Sequence, residues 1–459
     1  MTEEQQNQTA AGGEMDEELL QELLEREEVE AFREEFLAHH PYDQATFYVK
    51  SEQEARQLLY QYLSPAEMAD IFEAIELDDD EYEMYFREMN ANYAADLLAD
   101  MYTDDAVDIL NELDKEQVAS YLTMMDKEAA QEIKDLLHYE EYTAGSIMTT
   151  EFVAIPMNST VRSAMNILRN AAPDAETIYY VFVIDEEKRL AGIVTLRDLI
   201  IADEDTLISA IMNERVVSVS VSEDQEEVAR MIRDYDFLAL PVVDFQNHLL
   251  GIITVDDVID VMEEEASDDY SKLAAVSNME TFDRGPFTAA KKRLPWLVLL
   301  LFLGMVTANL MGLFEETLDQ VALLAVFIPL IAGMAGNSGT QALAVAVRGI
   351  ATGDIEEESK LKLLAREAGT GLITGIACSA VVIGLVYFWK GDIVIALLVG
   401  AAILSSIFVA TLAGSFVPLL IHRMKIDPAV ASGPFITTLN DIISIVIYLG
   451  LATLFLGPL

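Results

Sequence analysis

The sequence predicts a multidomain membrane protein: an all-α cytosolic helical-repeat domain, an α/β tandem pair, a linker helix and a five-helix transmembrane domain. Three observations carry this. Composition changes abruptly near Phe287, from acidic and mixed to almost wholly apolar. A short apolar motif returns every twelve residues in the first third of the chain, and a longer segment then recurs after 59 residues. With 459 residues, the chain has room for several domains of roughly 100–200 residues.

Charge narrows the partners. Asp and Glu number 79 against 28 Lys and Arg, a net charge of −51 that lies mostly before Phe287. Such a balance argues against nucleic acid, whose phosphates need basic partners. It is compatible with a cation-binding surface and equally with solubilising charge, including adaptation to a salty habitat. Cys378 is the single cysteine and sits in an apolar run, which excludes a disulfide framework and a thiolate metal site. The polar, acidic N-terminus lacks the basic and apolar regions of a signal peptide, so the soluble part is expected in the cytosol.

Residues 1–36 read as an acidic N-terminal segment, disordered before Glu14 by composition and forming a charged amphipathic helix over Met15–Phe36. Residues 37–140 read as the helical-repeat domain. Ala94-Ala95-Asp96-Leu97-Leu98, Ala106-Val107-Asp108-Ile109-Leu110, Val118-Ala119-Ser120-Tyr121-Leu122 and Ala130-Gln131-Glu132-Ile133-Lys134 begin twelve residues apart. A short helix plus a turn fills that period, which predicts a stack of helices.

Residues 141–267 read as a duplication. Phe182-Val183-Ile184-Asp185 and Leu190-Ala191-Gly192-Ile193-Val194-Thr195-Leu196-Arg197-Asp198 return as Pro241-Val242-Val243-Asp244 and Leu249-Leu250-Gly251-Ile252-Ile253-Thr254-Val255-Asp256-Asp257. Each copy is opened by an Ile-Met pair (Ile147-Met148, Ile211-Met212) and reads as strand, turn, strand, then a helix starting at Thr-x-x-Asp, a capping box. The pattern resembles a tandem cystathionine-β-synthase (CBS) pair, a module that commonly binds adenine nucleotides. That resemblance implies Thr195, Arg197 and Asp198 near a ribose and Tyr180 near an adenine, with ATP as the candidate ligand. Beyond it, Asp257, Asp260, Glu264 and Asp268 recur at helical spacings of three or four and share one face. A divalent cation would relieve their repulsion; a solvated acidic face is the other reading.

Residues 268–293 read as a linker helix and 294–459 as the membrane domain. Five apolar stretches (Leu294–Phe314, Val321–Val347, Gly369–Trp389, Ile393–Ile421, Ala429–Leu456) each reach the roughly 20 residues that a spanning helix needs. Pro329, Pro418 and Pro434 mark expected irregular points. Basic residues cluster before span one, between spans two and three, and between four and five. This places the N-terminus inside and the C-terminus outside. Asp441 reads as the one ionisable residue well inside a span, and such a carboxylate must face a cavity or a partner. Span two adds Asn337, Thr340 and Gln341. One carboxylate among neutral oxygens suits a hard cation.

The order acidic repeat, CBS pair, basic-flanked linker and five spans resembles the MgtE family of magnesium channels over essentially the whole chain. Its sharpest motifs are Pro329-Leu330-Ile331-Ala332-Gly333-Met334-Ala335-Gly336-Asn337-Ser338-Gly339-Thr340-Gln341 and Gly433-Pro434-Phe435 with Thr437-Thr438-Leu439-Asn440-Asp441. The resemblance implies a homodimer in the plasma membrane with Mg²⁺ held along the pore by Asp441, lined by Asn337 and Thr340. It also implies a Mg²⁺ sensor that closes the pore. Its matching acids are Asp104, Asp108, Asp224, Glu226, Asp236, Asp257, Asp260, Glu265, Asp268, Asp269 and Asp427, with residues 268–293 as the plug helix. The expected function is a Mg²⁺ channel shut by cytosolic Mg²⁺ and modulated by ATP. The alternatives are a secondary transporter of divalent cations, and a CBS-regulated membrane sensor that transports nothing. No His-Glu-x-x-His, P-loop or nucleophile–base pair points to an enzyme.

Overall fold

In the computed structural model, residues 15–75, 77, 79–276, 286–353, 355 and 359–456 are described, so the disorder expected before Glu14 falls outside them. The chain divides into two units, Met1–Met262 and Glu263–Leu459.

In the first unit the twelve-residue period becomes helices that start at Asp79, Ala91, Thr103, Lys115 and Lys127. Because the period holds one helix and one turn, each helix returns the same face to the core. Ala94, Leu97 and Leu98 are buried in one helix, and Ala106, Ile109 and Leu110 in the next. The segment Met15–Phe36 is two helices, Glu17–Glu25 and Val29–Phe36, where one was expected. Glu27 takes a left-handed backbone (φ 55°), which interrupts the helix. Nor does the segment stand apart at residue 36. Phe32 and Phe36 are fully buried in the repeat domain's core, with ring centroids 5.1 Å apart. Arg33 adds a bidentate ion pair to Glu67 at 2.9 and 2.6 Å. That pair, more than any other cause, holds the Glu67 carboxyl down to about 2.

The duplication forms two sheets, β1 (Ala154–Pro156), β2 (Tyr180–Ile184) and β3 (Leu190–Thr195), then β4 (Val219–Ser220), β5 (Ala239–Val243) and β6 (Leu249–Thr254). In both, the first strand pairs parallel to the middle strand and the third pairs antiparallel to it. The Ile-Met pairs serve the opposite copies. A Cβ on Gly251 would meet Thr149 O at 2.6 Å and Met148 Sδ at 2.9 Å, and one on Gly192 would meet Met212 Sδ at 2.8 Å. Both glycines exist to admit the other copy's opening segment.

The helix Val255–Ala274 ends in a Schellman motif: Val276 N–H donates to Ser271 O and Ala275 N–H to Lys272 O, with Ala275 left-handed at φ 58°. The expected linker helix over 268–293 is therefore helical only to Ala274, and a new helix starts at Pro286. Residues 277–285 lie outside the described ones.

Among the described residues of the second unit, five helices are long and apolar enough to span a membrane: Ala289–Gly312, Ala322–Ala351, Lys360–Lys390, Ile393–Arg423 and Gly433–Phe455. Pro329 sits at the first turn of Ile328–Ala351, after a 3₁₀ segment Ala322–Phe327, and Pro418 lies inside span four. Span five begins at Gly433, because Pro428–Val430 is a separate 3₁₀ turn capped by Asp427. Span four packs against spans two, three and five. Without a hydrophobic drive between helices in lipid, small residues set this approach. None of span one's apolar window is buried within the chain.

Spans two and four meet backbone to backbone, where a Cβ on Gly414 would lie 2.2 Å from the Gly339 carbonyl oxygen. Backbone cannot yield as a side chain can, so Gly414→Ala should destabilise the membrane domain by about 1–3 kcal/mol, the usual range for overpacking. At Gly384 an added methyl would meet nothing within 4 Å, so Gly384→Ala should be silent. Thermal unfolding in detergent, comparing the two variants, checks this.

Candidate ion path and acidic clusters

The first cluster grows from the start of the helix Thr103–Asn111. Its residue Thr103 donates to Glu151 and shares a 3.0 Å hydrogen bond with Thr150, which fixes the helix against the CBS pair. Asp104 is thereby buried, only 6% exposed, and its Oδ1 has no hydrogen-bond partner. Glu176 has a buried Oε2 that is likewise orphaned. Carboxylate oxygens of Glu176, Asp256 and Asp257 lie within 4.8 Å of one another. At that separation a pair of like charges costs up to about 3 kcal/mol at an effective dielectric near 20, before water screens it.

Burial and the neighbouring charges raise the proton affinity of Asp104, Asp105 and Glu176. Burial, then Asp257 and Asp105, pushes Asp104 well above the ordinary carboxyl range. Burial, then Glu73, raises Asp105 to about 8. Burial, then Asp257, raises Glu176 to about 7. Orphaned, crowded oxygens of this kind fit a hard divalent cation, which would neutralise the charge and supply the missing partners.

Of the sensor acids expected from sequence, the fold brings Asp104, Asp108 and Asp257 into one electrostatic neighbourhood. It adds Asp105, Glu176 and Asp256, which sequence reasoning missed. Asp105 and Asp256 neighbour residues that were singled out; Glu176 lies in an irregular loop with no periodic signal. Three others have local duties. Asp224 caps the helix Gln225–Tyr235, Glu226 pairs with Arg230 at 3.0 Å, and Asp236 is that helix's left-handed C-cap. Asp260 is exposed and Glu265 half-buried on Val255–Ala274.

A second cluster lies wholly in the second unit. Asp268, Asp269 and Asp427 are there, but a lysine is among them. Lys272 Nζ pairs with both Asp268 and Asp427. The two carboxylates raise the lysine's pKa against the effect of burial. Burial and then Asp427 lift Asp269 to about 6. Where three acids suggested an ion, the chain supplies its own ammonium.

In the membrane helices, spans two and five meet at the motif glycines. A Cβ on Gly336 would lie 3.0 Å from Thr437 Cγ2, and one on Gly339 would strike Asn440 Nδ2. Asn440 is fully buried with both amide atoms unpartnered. Asp441 is half-buried, and its carboxylate has no hydrogen bond or ion pair among the described residues. Thr340 turns its hydroxyl back onto Gly336 O and Asn337 O at 3.2 and 3.0 Å. Asn337 sits on another face, lining a cavity of about 440 Å³ between spans two, three and four. A second acid is buried near the start of the third long apolar helix. Glu367 is 5% exposed within the helix Lys360–Lys390, which begins nine residues before the apolar run at Gly369.

The expected nucleotide residues cluster in the first CBS copy. Tyr180 and Thr195 face each other in the β2–β3 register, close enough for their side chains to meet. Thr195 and Asp198 complete the capping box, with Thr195 Oγ1 donating to Asp198 at 2.6 Å. Arg197 is exposed.

Comparisons with known proteins follow this layout. A family described as the MgtE intracellular N domain matches residues 39–142, the CBS domain matches 144–205 and 208–264, and a family described as divalent cation transporter matches 328–451. The chain is 54% identical to the magnesium transporter MgtE of Enterococcus faecalis, across 97% of this chain and 98% of that one. Against the Bacillus subtilis protein of the same name identity is 38%, across 95% and 96%. Among solved structures, the soluble part of a magnesium transporter is 58% identical with a TM-score of 0.53, covering 55% of this chain and 98% of that one. The cytosolic domain of the Mg²⁺ channel MgtE in complex with ATP is 40% identical with a TM-score of 0.50, covering 53% and 98%.

The raised pKa values in this cluster make stability depend on pH with a definite sign. Asp105 and Glu176 rise from 3.8 and 4.5 to about 8 and about 7 on folding, so the folded state retains protons that the unfolded chain releases. Their contribution is complete below about pH 4 and is lost as pH climbs through 7 to 8. In a chelator, the soluble part should therefore melt at a lower temperature at pH 8 than at pH 6. Millimolar Mg²⁺ should restore more at pH 8, where it replaces the lost protons. Scanning calorimetry at both pH values, with and without Mg²⁺, checks both signs.

Proposed function

The chain belongs to the MgtE family of divalent cation transporters, and from that premise we propose that it is a Mg²⁺-selective channel of the plasma membrane, closed by cytosolic Mg²⁺. One observation carries the reading: Asp441, in the last span, has a carboxylate that nothing in its own chain satisfies among the described residues. An unpaired carboxylate at membrane depth costs about 2.5–3.5 kcal/mol on insertion scales, so it marks an aqueous or ion-filled path. Mg²⁺ sheds water reluctantly and is held by one or two carboxylates through its hydration shell. A homodimer would bring two copies of Asp441 to such a path and would cover span one, which buries none of its apolar window within one chain. Two carboxylates attract a hydrated dication without caging it, as conduction requires. The relatives that cover nearly the whole chain are named as transporters, not enzymes.

Closure follows from the acidic clusters. Mg²⁺ that binds only the compact arrangement of Asp104, Asp108, Glu176 and Asp257 shifts the population toward it, by mass action. The family resemblance adds Asp260, Glu265, Asp268, Asp269 and Asp427, of which Asp268 and Asp427 already share Lys272 that Mg²⁺ would have to displace, and Asp224, Glu226 and Asp236 complete that sensor set. ATP at Tyr180, Thr195, Arg197 and Asp198 would modulate that equilibrium. The alternative is a coupled secondary transporter of divalent cations, favoured by a second buried acid, Glu367, near the start of the helix Lys360–Lys390.

Mg²⁺ flux into liposomes tests the path: Asp441→Asn should lower it at least tenfold, and undiminished flux would sink the channel reading. Dependence of flux on a counter-ion gradient would favour the transporter instead. For the gate, replacing Asp104 and Asp257 together with Asn should leave currents open at internal Mg²⁺ levels that shut the wild type. Patch recordings across a Mg²⁺ series measure the shift, and an unchanged closing concentration contradicts it.

A further inference from the structure

We propose that each chain carries a second cation site, separate from Asp441, in the cavity between spans two, three and four, where Glu367 holds a hydrated divalent cation. The cavity measures about 440 Å³ and includes Glu367 in its wall. Glu367 is 5% exposed. Arg366 also lines the cavity, but it approaches the Glu367 carboxylate only to 4.0 Å and keeps a side chain that is 72% exposed. No hydrogen bond reaches the Glu367 carboxylate among the described residues. A carboxylate withdrawn from water and left without donors favours a cation beside it.

The remaining polar wall is biased toward acceptors. Thr370 spends its hydroxyl proton on Arg366 O at 3.0 Å, Thr374 on Thr370 O at 2.8 Å, and Thr411 on Ile407 O at 2.7 Å. Ser338 then donates to Thr411 at 2.7 Å, since the Thr411 proton is already committed. Each hydroxyl has used its single donor and retains lone pairs. The amides of Asn337 and Gln341 have no hydrogen-bond partner among the described residues and can turn their carbonyl oxygens inward. An anion would meet the Glu367 carboxylate, with donors only from the largely exposed Arg366 guanidinium and the two amides. A cation finds one carboxylate and a set of neutral oxygens.

Size decides which cation. At roughly 30 Å³ per water the cavity accommodates an ion with a full first shell, which suits Mg²⁺ better than an ion that needs a tight, stripped cage. Cys378 also lines the cavity. It stands eleven residues beyond Glu367 on the same helix, about 16 Å along the axis, too far to join the ion's ligands and well placed to report on it.

Because Cys378 is the chain's single cysteine, the full-length protein in liposomes can be tested without engineering a label site. Two thiol-specific methanethiosulfonates of similar size, one bearing trimethylammonium and one sulfonate, compare cation with anion access. The cationic reagent should modify wild-type Cys378 about tenfold faster, and millimolar Mg²⁺ should slow that reaction several-fold. In Glu367→Gln the preference should fall toward unity and the Mg²⁺ protection should vanish, while Glu367→Asp retains both. The wild-type measurements stand by themselves if a variant folds poorly. Protection should persist in Asp441→Asn, which separates this site from the pore reading. Equal rates for the two reagents, Mg²⁺-insensitive modification, protection that survives in a folded Glu367→Gln, or a Cys378 inert because lipid or a second copy fills the cavity would each overturn the proposal.

Discussion

Carboxylates removed from water without enough partners govern this molecule. An acid in that position has three outlets: it takes up a proton, it finds a fixed cation, or it takes a mobile one. All three bear on this chain. Asp104, Asp105 and Glu176, at the junction of repeat domain and CBS pair, have their proton affinity raised by burial. Asp268 and Asp427 share the ammonium of Lys272. Asp441 has no fixed cation beside it among the described residues, and Glu367 has only a loose approach from Arg366. The soluble and membrane-spanning parts thus pose the same electrostatic problem, and the acids left unsolved are those an ion can solve.

The scaffold makes these positions possible because it is stiff where it must be. The repeat domain buries an aromatic core and locks its first helices with the Arg33–Glu67 pair. Thr103 is fastened to Thr150 and Glu151, so Asp104 cannot simply swing into solvent. In the membrane domain, Gly339 and Gly414 bring spans two and four into backbone contact. That contact fixes which face of span two carries Thr340 toward Gly433 and which carries Asn337 toward the cavity.

Much of this architecture is legible in the sequence, and the failures have physical reasons. The twelve-residue period reappears as helix starts at that same interval, because one turn of chain per helix leaves no slack. The duplicated segment foretold two matching sheets, though not that Met148 and Met212 would each seat against the other copy's glycine. Met15–Phe36 has continuous helical character, yet a left-handed Glu27 breaks it. The linker was expected to run on past Ala274, where a left-handed Ala275 closes the helix without the glycine that usually signals such an end. Glu367 escaped notice because hydropathy starts span three at the first apolar residue, whereas the helix starts earlier.

By itself the sequence determined the number of spans, the domain order, the repeat period and the presence of Asp441. These are properties of composition and periodicity, which any fold of this chain must respect. Tertiary structure alone decided which acids share a field. Glu176 and Asp257 are far apart in sequence and meet within 4.8 Å, and Lys272 stands between Asp268 and Asp427. Charge–charge energy depends on distance and on exclusion of water, and neither quantity is written along the chain.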